Sequence, residues 1–395
     1  MLIVSGCGST ADIPQESNAD VAVSGSLRSI TRIGHHPALK NRALFWWTGL
    51  SKTLPVSESV TLYRVEYWTT GLDAERTVAS GLVALPGSPI SRGVVSYQHP
   101  TRTARTNVPS TPSETALVAA IAFAGHGYLF VAPDYLGLGT SPGFHPYLHA
   151  SSEASAVIDL LKAARLLGRH MGREWPEALF LTGFSQGGHA SLAAQRALEE
   201  NPVEGLRVTA SAPIAGAYNL SRIQFPFALE GHADSHTAYL GYVTSAYARI
   251  QREPLTSVIA DAYVGKVSAL LDGSKSLGDV AAALPRDPTE LFQPEFIRAF
   301  RQGEDTWLAR ALALNDVFDW VPQAPIRFYY GTADLDAPAS DTLFTVEHMR
   351  KGGGKVESVN VGGQNHTQVA FSAIPQVRRW FDEVLQQADG FRGVR

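Results

Sequence analysis

The sequence predicts an α/β fold: a mostly parallel central sheet with helices on both faces, interrupted by a helical cap insertion. Three observations carry this. Strand-like and helix-like stretches alternate through the first half of the chain. The alternation stops over residues 219–322, which read as helical and aromatic. It then resumes to the C-terminus. The chain has 395 residues, is 45% hydrophobic and 18% charged, and so can bury a large core.

The start, MLIVSGCGST, sets Leu2-Ile3-Val4-Ser5-Gly6 directly before Cys7, the single cysteine. A small residue ahead of a cysteine, after an apolar run, resembles the end of a bacterial lipoprotein signal that lacks its basic start and most of its apolar stretch. The expectation is an exported protein tethered to a membrane through lipidated Cys7, with residues 1–26 as truncated signal and polar linker. The competing reading is an ordinary free thiol. One cysteine allows neither an intrachain disulfide nor a cysteine-built zinc site.

Residues 27–218 and 323–395 are expected to form the core. Ser59–Thr70 and Arg76–Pro86 have strand composition and a turn between them, which suggests an antiparallel pair. Gly93–Pro100 is a short buried strand running into a loop. Ser113–Gly127 reads as a helix with a glycine stop, and Tyr128–Gly139 as a strand ending in a glycine-rich turn. Ser152–His170 is a strongly amphipathic helix. EALFLTG is a strand, GGHASLAAQRALEE a helix, and Leu206–Leu220 a strand with its exit loop. APIRFYYGTADLDAP and KVESVNVGGQNHTQ are strand–loop units, and VAFSAIPQVRRWFDEVL closes the chain as a helix.

Two serines match G-x-S-x-G, the elbow pattern that exposes a nucleophile between strand and helix. Ser185 in GFSQG has ALFLT before it and a helix after it, and Gly183 and Gly187 clear the tight turn. Ser141 in GTSPG is followed by Pro142, which has no N–H to offer an oxyanion, and by no helix. Ser185 is therefore the expected nucleophile. Strand order then asks for an acid and a histidine in later loops: Asp334 lies in GTADLDAP and His366 in GGQNHTQ. They stand 149 residues after Ser185 and a further 32 on, and the second gap accommodates one helix and one strand.

Asp336 is a weaker candidate for the acid, two residues further along. Asp316 and Asp319 read as cap residues, His348 as a surface residue, and His189 as a structural hydrogen-bonding group. The roles follow: Ser185 attacks a carbonyl, His366 relays the proton, Asp334 orients the imidazole. The N–H of Gln186 is one expected oxyanion donor. The second comes from HPTRT, where Pro100 cannot donate and Thr101 or His99 can.

These stretches resemble the α/β-hydrolase fold and, within it, the secreted lipases of the fungal lipase A type and their bacterial relatives. The resemblance is carried by VVSYQHPTRTARTNVPS, GHGYLFVAPDYLGLG, HASSEASAVIDLLKAARLL, GFSQGGHAS, GTADLDAP and GQNHTQ, in that order, over about Gly93 to Thr367. It implies Ser185, Asp334 and His366 as a triad, Thr101 as the second oxyanion donor, and a helical cap between the sixth and seventh sheet strands, matching residues 219–322. Two features depart from it. The fungal relatives carry an acidic residue where Thr101 stands, and they bear disulfides that this chain cannot form.

The expected activity is serine carboxylester hydrolysis of an acyl or lipid ester, without metal or other cofactor. A serine peptidase or amidase on the same fold, and a non-catalytic binding module, are the alternatives. Net charge is −4 with no basic stripe, so no nucleic-acid partner is expected. Lys351–Lys355 (KGGGK) lacks phosphate-loop spacing, and no H-E-x-x-H occurs. Tyr239, Tyr242, Tyr247 and Tyr263 could line an acyl tunnel or simply fill the cap core.

Overall fold

Strands β1 (Leu27–His36), β2 (Val60–Thr70), β3 (Arg76–Pro86), β4 (Val94–Gln98), β5 (Leu129–Pro133), β6 (Leu179–Phe184), β7 (Val208–Ile214), β8 (Ile326–Tyr330) and β9 (Val356–Asn360) form one sheet. It is seen in a computed structural model that describes residues 23–111 and 114–392. Strand order is β1-β2-β3-β5-β4-β6-β7-β8-β9. The β1-β2-β3-β5 edge is antiparallel and the rest parallel. The central strands VVSYQ, LFVAP and LFLTGF are buried along their whole length, as expected for strands covered on both faces.

The helices are α1 (Ala38–Trp47), α2 (Glu114–Ala124), α3 (Ala150–His170), α4 (Gln186–Glu200), α5 (Phe225–Leu229), α6 (His236–Gln251), α7 (Asp261–Leu270), α8 (Leu277–Ala283), α9 (Pro294–Arg301), α10 (Trp307–Leu314), α11 (Ala339–Lys351) and α12 (His366–Arg392). One sheet face is covered by α2 and α12, whose Ile121, Phe123, Val377 and Phe381 pack on Phe130 and Phe180. On the other face, α3 and α4 contribute Val157, Leu160, Leu167 and Leu198 against Val131 and Leu181. Between β7 and β8 the described chain is helical, from α5 to α10, with a separate apolar core that also takes in Tyr147 and Leu148. No helix among the described residues is long and apolar enough to cross a membrane.

The structure departs from the sequence reading in three places. β1 is an additional edge strand, paired with β2 through two register irregularities. Ordered packing also begins before residue 27. Gly25 N–H donates to Trp68 O at 2.7 Å, and a side chain at Gly25 would collide with Lys162, so the boundary at 26 cuts into a packed turn. Finally, α12 starts at His366, three residues ahead of the predicted apolar run, which places that histidine at the helix entry. Cys7 and the rest of the expected signal lie outside the described residues.

Candidate active site

The site is built at the carboxyl ends of the parallel strands, where loops leave the sheet. β6 ends at Phe184 and α4 starts at Gln186, so a single residue turns the chain. That residue, Ser185, has φ 58° and ψ −120°, a conformation side-chain-bearing residues seldom adopt. Its own N–H is tied to Ile214 O of β7 at 2.9 Å. The turn is this tight because its flanks lack side chains. A Cβ on Gly183 would lie 2.2 Å from Gly187 O, and one on Gly187 would lie 1.9 Å from Gln98 O.

Holding Ser185 in this conformation costs about 1–3 kcal/mol. Ser185→Gly should therefore be more stable than Ser185→Ala by about 1 kcal/mol, since glycine takes positive φ without strain. Chemical denaturation of the two variants checks this; equal midpoints would mean that the elbow stores no strain.

Three side chains from distant loops meet here. His366 Nε2 lies 2.9 Å from Ser185 Oγ, and His366 Nδ1 lies 2.8 Å from Asp334 Oδ2. Asp334 accepts through Oδ2, so Nδ1 carries the proton and Nε2 is left to accept from the serine hydroxyl. The other carboxylate oxygen, Oδ1, accepts the N–H groups of Asp336 and Ala337, each at 2.9 Å. The Asp334 side chain is fully buried and that of His366 is 11% exposed, so the relay runs from interior to rim. The Phe184 ring, 4.6 Å from the imidazole centroid, packs beside His366.

Gln186 opens α4, where the first N–H groups of a helix have no intrahelical acceptor and face a partial positive potential. Thr101, three residues past β4, is buried, and its Oγ1 is 2.8 Å from Tyr147 OH. His99 is held by Pro100 O at 2.7 Å and Asp134 O at 3.2 Å. Burial pushes its imidazole down to about 3, so it is neutral.

The rejected candidates sit elsewhere. Ser141 Oγ is buried without a hydrogen-bond partner, and the Ser141 carbonyl accepts from Arg105. Asp336 accepts from Ser235 Oγ, not from His366. Asp316 caps the turn at Ser221, through its N–H at 3.0 Å and its hydroxyl at 2.5 Å. Asp319 pairs with His348 at 2.8 Å on the surface. Ligand atoms of Asp334, Asp336 and His366 lie within 4.8 Å of one another. Both nitrogens of His366 and Asp334 Oδ2 are committed to the relay, and Asp334 Oδ1 to two backbone N–H groups, so the cluster fits proton transfer better than a metal ion.

One cavity reaches Ser185 and a second reaches His366. The narrow one, of about 50 Å3, lies between the elbow and the helical insertion, lined by Ser185 and Gln186 and by Leu220, Phe225, Leu240 and Leu312. A wider, polar groove of about 480 Å3 opens on the His366 side, past Asp336, Asn365 and His232. Of the four tyrosines named above, Tyr239 lines the narrow cavity. Tyr242 instead stacks on Tyr147 at 4.5 Å, and Tyr247 donates to Leu148 O. Tyr263 is half-buried against the insertion core, beneath Lys266.

One group beside the site went unnoticed in the sequence. Glu153 of α3 is buried under the elbow and accepts from the Gln186 side chain at 2.8 Å and from His189 at 2.6 Å. A signal existed. Glu153 lies four residues before Val157, on the stripe that continues to Leu160, Ala164 and Leu167, and a carboxylate on a buried stripe calls for partners.

Comparison with solved structures places this architecture. A candidate hydrolase from Legionella pneumophila superposes with a TM-score of 0.85 at 28% identity, covering 91% of this chain and 98% of that one. The rice cell wall degrading esterase LipA from Xanthomonas oryzae matches with a TM-score of 0.83, also at 28% identity, covering 92% and 99%. The chain has the α/β-hydrolase fold. Candida antarctica lipase A in its closed state shares the fold of this α/β-hydrolase at 15% identity, with a TM-score of 0.68 over 92% of this chain and 83% of that one. No family model and no curated protein matches the chain.

Proposed function

We propose that this α/β-hydrolase is a serine carboxylester hydrolase that works through an acyl-enzyme. The observation that carries the reading is the continuous relay from Ser185 Oγ through His366 to Asp334 at 2.9 and 2.8 Å. Ser185 Oγ attacks the ester carbonyl as His366 Nε2 takes its proton. The oxyanion that forms is held by the N–H of Gln186 and by that of Thr101. His366 returns the proton to the leaving alkoxide, leaving an acyl-serine and an alcohol. Water then attacks the acyl-serine by the same route, releasing the acid. Asp334 fixes the imidazole tautomer and balances the imidazolium. The 28% identical neighbour that is an esterase supports ester rather than amide chemistry.

The unequal cavities support placing the two halves of the ester on opposite sides. One water occupies about 10–15 Å3 of such space, so the small cavity of about 50 Å3 favours a short acyl chain. The open polar groove on the His366 side suits the departing alcohol, because that is where the returned proton goes. The experiment is a series of p-nitrophenyl esters of rising acyl length. We expect kcat/KM to be highest at two to four carbons and at least about tenfold lower at twelve. Cleavage of an aminoacyl-arylamide with no ester turnover would contradict the reading. Export with lipidation at Cys7 is part of the same proposal. It rests on the apolar and small residues ahead of that cysteine, and the mass of Cys7-containing peptide from membrane fractions tests it.

A further inference from the structure

Beneath the elbow lies a hydrogen-bonded chain that the reaction above does not use. His189, on the second turn of α4, is fully buried and places Nδ1 2.6 Å from Glu153 Oε2 and Nε2 2.8 Å from Asn315 O. Asn315 O has no proton to give, so Nε2 carries one, and a further proton is shared between Nδ1 and the Glu153 carboxylate, whose charge favours the imidazolium. Glu153 Oε1 accepts from Gln186 Nε2 at 2.8 Å. The same amide nitrogen lies 2.8 Å from His145 Nε2, and His145 Nδ1 donates to Leu136 O at 2.8 Å. The Gln186 side chain is thus held from both sides, and Gln186 is the residue whose backbone N–H faces the developing oxyanion. Asn315, which follows α10, also accepts from Ala150 N–H at 2.9 Å, so the insertion is fastened to the same network.

We infer that Glu153 and His189 are positioning residues for the oxyanion-binding turn, an internal ion pair that fixes Gln186 and stays neutral only while it keeps its shared proton. The inference rests on Ser185 being the nucleophile. Burial alone would push His189 down, but the charge and hydrogen bond of Glu153 outweigh it and hold the imidazolium above the ordinary histidine value. The pair is therefore intact at lower pH and loses its proton as pH rises through that raised value. What remains is one buried negative charge beside the place where a second must form.

Other titratable groups facing the pair are His145, His149, Asp316 and Asp341. Burial pushes both histidines down, so they stay neutral. It pushes Asp316 up, and Asp341 up to about 7. Ionisation of Asp341 adds negative charge and keeps the proton on His189 longer, so it does not produce the loss at high pH. Tyr135, Tyr147 and Tyr247 are pushed up by burial and remain neutral hydroxyls.

The test is the pH dependence of kcat on p-nitrophenyl butyrate for the whole protein and two Glu153 variants, corrected for spontaneous hydrolysis. The wild type is expected to lose activity on the alkaline side. Glu153→Gln keeps an acceptor for Gln186 and removes the charge. It should lower kcat at pH 7 by less than about fivefold and abolish the alkaline loss. Glu153→Leu leaves Gln186 unheld, and should lower kcat about a hundredfold with KM within about twofold, the size of losing one oxyanion donor. An alkaline loss that persists in Glu153→Gln, or a wild type with none, overturns the inference. Should Glu153→Leu fail to fold, the Glu153→Gln profile still decides. Ser185→Ala run alongside separates the two levels. Activity that survives it sinks the nucleophile assignment, whereas a dead Ser185→Ala with an unchanged Glu153→Gln profile sinks the positioning role alone.

Discussion

Ser185→Ala is expected to lower kcat for a short-chain ester by about 10^5-fold or more, with residual turnover over water from the oxyanion site and substrate binding alone. The size follows from the geometry. The relay has one hydroxyl at its head, and among the described residues no second hydroxyl is hydrogen-bonded to His366 Nε2. The other elbow-like serine, Ser141, is buried without a base beside its oxygen. The variant should keep its fold, because alanine at 185 removes an oxygen at the rim and leaves the glycine contacts of the turn in place. Stopped assays over long incubations measure the loss. A decrease of less than about a hundredfold would place the attacking group elsewhere.

Asp334→Asn is expected to lower kcat by about 10^4-fold, because the amide presents a donor where Nδ1–H needs an acceptor, and the imidazole then turns or takes the wrong tautomer. Asp336→Asn should stay within about tenfold of wild type. Its carboxylate faces Ser235 and the helical insertion, and it reaches the relay only through its backbone N–H to Asp334 at 2.9 Å. Measuring both variants at one pH gives the contrast directly. Comparable losses would mean that the two carboxylates act together, against the separate roles assigned here.

How much of this was legible beforehand depends on what each signal is made of. The buried strands VVSYQ, LFVAP and LFLTGF announce themselves because a strand covered on both faces is a continuous apolar run. The elbow is equally plain, because steric crowding demands glycine at 183 and 187. β1 was missed for the opposite reason. LRSITRIGHH is an edge strand with half-exposed residues and two register breaks, so neither alternation nor an apolar run marks it. GTADLDAP favours Asp334 but leaves Asp336 open, since both sit in one loop. The structure separates them by position: backbone N–H groups of Asp336 and Ala337 hold Asp334, and it is the Asp334 carboxylate that meets the histidine. The tyrosines of the insertion illustrate the same limit. A helical pattern says that a ring is buried, but not whether it faces a cavity, as Tyr239 does, or another ring, as Tyr242 does.

The fold also explains why the pieces lie so far apart in sequence. The elbow, the acid loop and the histidine loop leave β6, β8 and β9 at the same sheet edge, and parallel strands need long crossovers to bring that about. Helices α5 to α10 fill the longest of these crossovers and roof the narrow cavity.

The central claim, a single activated serine at residue 185, is tested most directly by treating the protein with diethyl p-nitrophenyl phosphate and mapping the product by tandem mass spectrometry. The account predicts one diethylphosphoryl group per chain, on Ser185, formed in step with loss of esterase activity. Label on Ser141 or any other residue, or an inactivated enzyme with Ser185 unmodified, would contradict it.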